Sequence, residues 1–149
     1  MLSRSLIPAV SAAVLGLAAA GCGTKLVPLN MRVTVAEGAA PAPNSGVIKT
    51  PFGTVVIDGQ PGYRAAEDLR KSAAKHTGWE VTYLVMTSHH ADHSLGNEVF
   101  RKAEIISTAA SRRAFGGKAE AERRMLADRL KIGGAAGAEL MPATLTFEK

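Results

Sequence analysis

The hydrophobic positions of this chain change repeatedly between strand-like and helix-like spacing. Two short β-branched runs, residues 45–50 (SGVIKT) and 53–59 (GTVVIDG), flank the turn residues Thr50-Pro51-Phe52-Gly53 and predict a β-hairpin. Residues 61–78 then follow helical spacing, with Gly78 as the expected stop. The second run is almost entirely apolar, so we expect that strand to be buried on both faces.

The rest of the chain continues the same alternation. Further strands are predicted at 31–35, 80–88, 103–108 and 144–149, a short helix at 93–102 and a long helix at 118–131. The apolar stripe of the long helix is Met125, Leu126 and Leu130. Strands that alternate with helices after an initial hairpin predict an α/β domain, with helices packed on a mixed sheet.

The N-terminal segment has the pattern of an export signal. Arg4 precedes an uncharged run from Leu6 to Gly21, which at 16 residues is shorter than the ~20 needed to cross a bilayer as a helix. The ending LAAAGC resembles a bacterial lipobox, which predicts cleavage before Cys22 and attachment of lipid to its thiol. We therefore predict a signal peptide at 1–21, a tether with a first strand at 22–43 and the main domain at 44–149.

This prediction makes the protein an exported lipoprotein, periplasmic or on the cell surface and held to the membrane through Cys22. The alternative is a soluble periplasmic protein cut after Ala20. Cys22 is the only cysteine of the 149 residues, which excludes an internal disulfide.

The charge of the chain argues against a nucleic-acid partner. Lysine and arginine number 18 against 13 acids, for a net charge of +5 that falls to +4 once Arg4 is removed with the signal. The cations are scattered among acids and are not interleaved with aromatic residues, as nucleic-acid surfaces require. We interpret them as solvated surface.

The stretch TSHHADHSLGN concentrates the candidate chemistry. It follows an apolar strand and places His89, His90, Asp92 and His93 within five residues. Imidazole nitrogen and carboxylate oxygen are ligands that divalent transition metals favour. In extended chain, Ser88 and His90 share one side and His89 the other, so we predict a metal-binding cup of His90, Asp92 and His93 with His89 pointing away.

The same stretch resembles the metal loop of the metallo-β-lactamase fold hydrolases, whose signature is His-x-His-x-Asp-His after a strand. NSGVIKTPFGTVVIDG is similar to the early hairpin of that family, closed by a strand-ending aspartate, here Asp58. AEIISTAASRR resembles the strand and helix start that follow the loop. The likeness covers roughly Met31 to Lys149, and it implies the first half of an αβ/βα sandwich, a mixed sheet with helices on one face.

The resemblance also implies a function and site residues. It implies a zinc-dependent hydrolase with one or two ions, in which activated water attacks an amide or ester-type bond of a small-molecule substrate. His90 would be a ligand of the first ion, and Asp92 and His93 ligands of the second. Asp92 would have a catalytic role as well, because it would orient the attacking water.

Two departures from the family pattern weaken this expectation. Ser88 stands where the first histidine of the motif belongs, and no histidine follows His93 to supply the later ligands. A one-residue shift in strand register could bring His89 into the cup. It would also move the other side chains of that strand to the opposite face of the sheet. Zinc binding is therefore expected to be weak, and hydrolysis by this chain impaired.

The chain also stops on a predicted strand, which favours a truncated domain with an open sheet face. A dimer mate or another chain would then cover that face. The alternative function is a non-catalytic, membrane-anchored module that binds metal or docks a partner.

Overall fold

The computed structural model describes residues 24–40, 42–129, 131–132 and 134–148. The predicted signal peptide and Cys22 lie outside these residues, as does Leu130. The strands are β1 (Lys25–Pro28), β2 (Val33–Glu37), β3 (Ser45–Thr50), β4 (Gly53–Ile57), β5 (Val81–Val85), β6 (Glu104–Thr108) and β7 (Leu145–Phe147). The helices are α1 (Tyr63–Thr77), α2 (Ala91–Ser94), a 3₁₀ helix (Leu95–Phe100) and α3 (Ala109–Asp128).

All seven described strands form one mixed sheet, in which their spatial order is their order along the chain. β1 to β4 pair antiparallel, and β4 to β7 pair parallel. The predicted hairpin is confirmed, because β3 and β4 pair from Thr50 and Gly53 outward. Each parallel pair is joined through helix, as parallel connections require.

The helices and the sheet share one core on one face of the sheet. Alternate strand residues such as Val47, Val56, Leu84 and Ile105 are nearly or fully buried in a cluster with side chains of the helices. The helical members of this cluster include Ala66, Leu69 and Ala73 of α1, Phe100 of the 3₁₀ helix, and Phe115 and Ala119 of α3. This is the predicted mixed sheet with helices on one face.

The opposite face of the sheet keeps apolar side chains in contact with solvent. Ile57, Val85 and Ile106 are only partly buried, and Tyr83 and Phe147 are 40% and 52% exposed. We call this set the open face. It contradicts the expectation that β4 is buried on both sides.

Local signals explain where the long helices start and stop. Gly78 ends α1 with φ 80°, and its N–H donates to the carbonyl of Ala74. At the start of α3 the Thr108 hydroxyl accepts from the N–H of Ser111 at 3.1 Å. Among the described residues, no helix is long and apolar enough to cross a membrane.

Two elements differ from the sequence prediction. β1 was not predicted, because KLVP is short and ends in proline, yet it pairs with β2 along its whole length. The spacing predicted α3 from residue 118, but the helix begins at Ala109, which confirms the helix start implied by the resemblance of AEIISTAASRR, and it runs through Gly116 and Gly117. Packing of Phe115 and Ala119 against the sheet outweighs the low helix propensity of that glycine pair.

Candidate metal centre

The predicted metal loop leaves the carboxyl end of β5, in the middle of the parallel strands. β5 ends at Val85, the chain runs irregularly through His90, and α2 then begins at Ala91. The end of the neighbouring strand β4 places Asp58 beside the loop. Side chains from two strand ends therefore meet at one edge of the sheet.

Asp58 is the anchor of this edge. Its carboxylate accepts from the N–H of Thr87 at 2.9 Å, from the Thr87 hydroxyl at 2.8 Å and from Nδ1 of His93 at 2.9 Å. The residue is buried and has φ 64°, a left-handed conformation that aspartate tolerates better than most residues. The hydrogen bonds from Thr87 and His93 hold its carboxylate against the loop.

The backbone after Asp58 is tied to the metal loop. The N–H of Gly59 donates to the carbonyl of His93 at 2.6 Å, and the N–H of Gly96 donates to the carbonyl of Gln60 at 2.9 Å. A Cβ on Gly96 would overlap the Gly59 carbonyl oxygen and the Ala66 side chain. The close contact between these two segments therefore requires glycine at position 96.

His93 is oriented with one nitrogen toward Asp58 and the other toward Asp92. Its Nδ1 is bonded to Asp58, and its Nε2 lies 3.5 Å from Oδ2 of Asp92. A carboxylate that holds the far nitrogen of a histidine is the usual support of a metal-ligating imidazole. His93 and Asp92 thus present one nitrogen and one oxygen side by side.

His90 has different partners from those predicted. Its Nδ1 lies 3.3 Å from Oε1 of Glu122 on α3, and the other Glu122 oxygen accepts from the N–H of Ala91 at 2.7 Å. His89, His90 and Glu122 each offer a ligand atom, all within 4.8 Å of one another, and could hold a metal ion. In the described part of the chain this group includes neither Asp92 nor His93.

The prediction that His89 points away from His90 is wrong. Their ring centroids are 4.3 Å apart. Two-residue alternation holds only in a regular strand, and β5 has already ended at Val85, so no slip of the strand is needed. The Ser88 hydroxyl bonds to the backbone of the loop, where it accepts from the N–H of His90 at 3.3 Å.

Glu122 was missed by reasoning from the sequence. It lies three residues after Ala119 and four before Leu126, both of which are buried, so all three share one face of α3. That spacing was the available signal. Its neighbour Glu120 instead faces Arg123 and Arg124, whose side chains hydrogen-bond to it and lower its pKa to about 2.

A cavity of about 360 Å³ joins the two donor groups. His90, Asp92, His93 and Glu122 line it, together with an apolar wall of Met125, Leu126 and Ile132. The three predicted ligands therefore share one cavity, although His90 is paired with Glu122 and Asp92 with His93. The nitrogen and oxygen donors present fit zinc.

A larger groove of about 780 Å³ lies at the opposite edge of the sheet, where β5 and β6 begin. Its charged side chains are largely paired, for example Arg70 with Glu67 and Glu80. Arg70 lowers the pKa of Glu67, chiefly through their hydrogen bond. We place the candidate site in the smaller cavity, because His90 and His93 line only that one.

Sequence comparison identifies the family. The model of the metallo-beta-lactamase superfamily matches residues 39–143. The chain belongs to the metallo-β-lactamase superfamily. The match begins just before β3 and includes the whole metal loop, and no curated protein matches the sequence significantly.

Solved structures of metallo-β-lactamases share the fold. The enzyme from Hirschia baltica superposes with a TM-score of 0.61 at 15% identity, covering 84% of this chain and 52% of that one. FIM-1 from Pseudomonas aeruginosa, in its mono-zinc form, gives 0.60 at 13% identity, with 84% and 50% covered. The enzyme from Pontibacter korlensis gives 0.58 at 15%, with 85% and 53% covered. The chain thus spans about half the length of each of these metallo-β-lactamases.

Proposed function

We propose that this chain carries the metal loop of a zinc-dependent hydrolase, in which activated water attacks an amide or ester-type bond. The observation that carries the proposal is the Asp58–His93–Asp92 arrangement. Asp58 holds Nδ1 of His93, and Nε2 is left 3.5 Å from an Asp92 oxygen. Zinc bonds of about 2.0–2.1 Å place two tetrahedral ligand atoms about 3.3 Å apart, close to this separation.

The proposal assigns His90 to a first ion, and Asp92 and His93 to a second. When bound, zinc would supply Lewis-acid activation of water, lowering its pKa to about 7. Asp92 is half exposed at the cavity, so its carboxylate can orient a water molecule and accept its proton. The wall of Met125, Leu126 and Ile132 would exclude bulk water and contact apolar parts of a substrate.

A comparison of Asp92→Asn with Asp128→Asn tests this proposal. The second change removes an exposed carboxylate from the end of α3, away from the cavity lining. Hydrolysis of nitrophenyl esters and chromogenic β-lactams is measured with added zinc and with chelator. We expect slow, zinc-dependent turnover that is lost in Asp92→Asn and kept in Asp128→Asn. Turnover unaffected by chelator, or equal in both variants, would contradict the assignment.

The open face supports a second candidate function, a non-catalytic module that docks a partner. Its exposed apolar side chains, including Tyr83 and Phe147, are neutral and lie on one face of the sheet. We propose a second copy of the chain as the partner, since symmetric pairs are the commonest assemblies. Sedimentation velocity would then show a dimer that Ile106→Lys converts to monomer; a wild-type monomer at all concentrations contradicts this candidate.

Anchoring at the membrane belongs to the same proposal. Export and acylation of Cys22 would place either function at a membrane surface, with the following residues as tether. Mass spectrometry of the mature N-terminus should find a diacylglycerol-modified Cys22. An unmodified N-terminus at Gly21 or Cys22 would support the soluble alternative instead.

A further inference from the structure

His89, His90 and Glu122 form a compact donor group from two separate elements. Two of them come from the loop after β5 and the third from the middle of α3. One ligand atom from each lies within 4.8 Å of the other two. The group has the His₂Glu composition that zinc accepts at sites with an open position. Neither His89 nor Glu122 has a place in the His-x-His-x-Asp-His pattern.

The separation of the closest pair suits a shared ion. Nδ1 of His90 and Oε1 of Glu122 lie 3.3 Å apart. This is slightly longer than the usual N–H···O range of about 2.7–3.2 Å. It agrees with the spacing of about 3.3 Å between two tetrahedral zinc ligands with bonds of about 2.0–2.1 Å.

His89 supplies an independent observation. Its Nε2 is buried and has no hydrogen-bond partner among the described residues. A buried imidazole nitrogen without a partner is unfavourable, and such atoms in native structures call for an explanation. Coordination of a cation through this Nε2 atom would remove the deficit.

Glu122 is already held for the role of a ligand. Its Oε2 accepts from the N–H of Ala91 at 2.7 Å, which fixes the carboxylate and leaves Oε1 directed at His90. Metal-ligating carboxylates are commonly held in this way. Arg123 and Arg124 donate hydrogen bonds to the carboxylate of Glu120 rather than to that of Glu122.

We propose that His89, His90 and Glu122 form the first metal site of this protein, for Zn²⁺ or a similar divalent cation. The inference rests on the proposed function for the nature of the ion and adds His89 and Glu122 to its single first-site ligand, His90. His89 and Glu122 supply the donors that Ser88 cannot. Two of the three donors, His90 and Glu122, line the cavity of about 360 Å³ together with Asp92 and His93.

Zinc titration of the full chain and four single variants tests the ligand set. His89→Asn and Glu122→Gln remove proposed first-site donors, whereas Asp92→Asn and His93→Asn remove second-site donors. In Glu122→Gln the amide oxygen can still accept from Ala91, so the loop is expected to remain folded. His76→Asn and Asp128→Asn are the controls, and circular dichroism verifies the fold of each variant.

We expect His89→Asn and Glu122→Gln each to abolish the binding of one zinc ion or to weaken its affinity by at least ~10-fold. The absorption spectrum of bound Co²⁺ should change in the same variants. Asp92→Asn and His93→Asn should leave that ion in place. Loss confined to Asp92→Asn and His93→Asn would overturn the first site while sustaining the proposed function. A wild-type chain that binds no zinc would overturn both. First-site binding as expected, without hydrolysis in any form, would overturn only the proposed function.

Discussion

Asp58 shows how a single residue can serve both the fold and the candidate chemistry. Its carboxylate accepts hydrogen bonds both from Thr87, which follows β5, and from His93 of the loop. Its backbone carbonyl also accepts from the buried Ser45 hydroxyl at 2.9 Å. The residue therefore connects β3, β4 and the metal loop at one point.

Replacing Asp58 by asparagine should weaken both roles. Asparagine tolerates φ near 64°, but its amide group cannot accept from all three donors. We expect a loss of about 1–3 kcal/mol in the free energy of unfolding, because buried donors lose a charged partner. Zinc affinity should fall about 10–100-fold, as for other supporting carboxylates.

Urea unfolding and a chelator competition assay measure the two effects. Asp68→Asn is the control, a partly buried carboxylate on α1. A variant with normal zinc affinity would contradict the orienting role of Asp58, even if its stability fell.

Glu120 leads to a prediction on pH. Hydrogen bonds from Arg123 and Arg124 lower its folded pKa from 4.5 to about 2. Because the folded value is the lower one, the ionised side chain stabilises the fold above pH 4.5, and this contribution is lost as the pH falls toward 2. Unfolding of wild type and Glu120→Gln should therefore differ most near pH 6, with the gap closing as acid is added. A gap that widens in acid would contradict this assignment.

Among the elements, those with regular periodicity were predicted well. Residues 45–50 are β3, and the helix predicted at 61–78 is α1 within two residues at its start. β1 was not predicted, and the spacing missed the first half of α3, whose start only the resemblance of AEIISTAASRR implied, because proline and paired glycines masked elements that sheet pairing and packing stabilise. Periodicity could locate the metal loop but could not orient His89, since the loop has no regular spacing.

Two glycine-to-alanine changes in helical segments should have opposite effects. Gly96→Ala introduces a Cβ into the Gly59 backbone and the Ala66 side chain, so we expect destabilisation of about 1–3 kcal/mol or more. Gly116→Ala meets no atom within 4 Å and removes a glycine from the interior of α3. It should stabilise the fold by about 0.5–1 kcal/mol.

Thermal and chemical unfolding of the two variants check this pair. Gly117→Ala is an additional control, since its Cβ also meets nothing within 4 Å. Equal stability of Gly96→Ala and wild type would show that the 59–96 contact is not close.

At the scale of the molecule, two apolar clusters hold the fold and the metal loop, and Leu140 packs against both. The main cluster joins the sheet to α1, the 3₁₀ helix and α3. A smaller cluster that includes Ala91, Leu95 and Leu126 packs the loop against α3. The fold is therefore expected to persist without metal, with the loop and α3 responding to it.

Zinc should raise stability without being required for cooperative unfolding. At a free zinc concentration 100 times the dissociation constant, the free energy of unfolding should rise by about 2.7 kcal/mol, because the ion binds only the folded chain. Chelator should reverse the rise and leave a single transition. Differential scanning calorimetry measures both, and a transition that vanishes with chelator would show that the ion is needed for folding.

The order of the strands has a consequence for how the chain is made. Each of the described strands β2 to β7 pairs with the strand that precedes it in the sequence, although 36 residues separate β6 from β7. The short connections among β1 to β4 lower the entropic cost of closure and speed folding. The sheet can therefore grow strand by strand as the polypeptide leaves the ribosome. In that sequence Asp58 is in place before the histidines emerge, and Glu122 reaches them last.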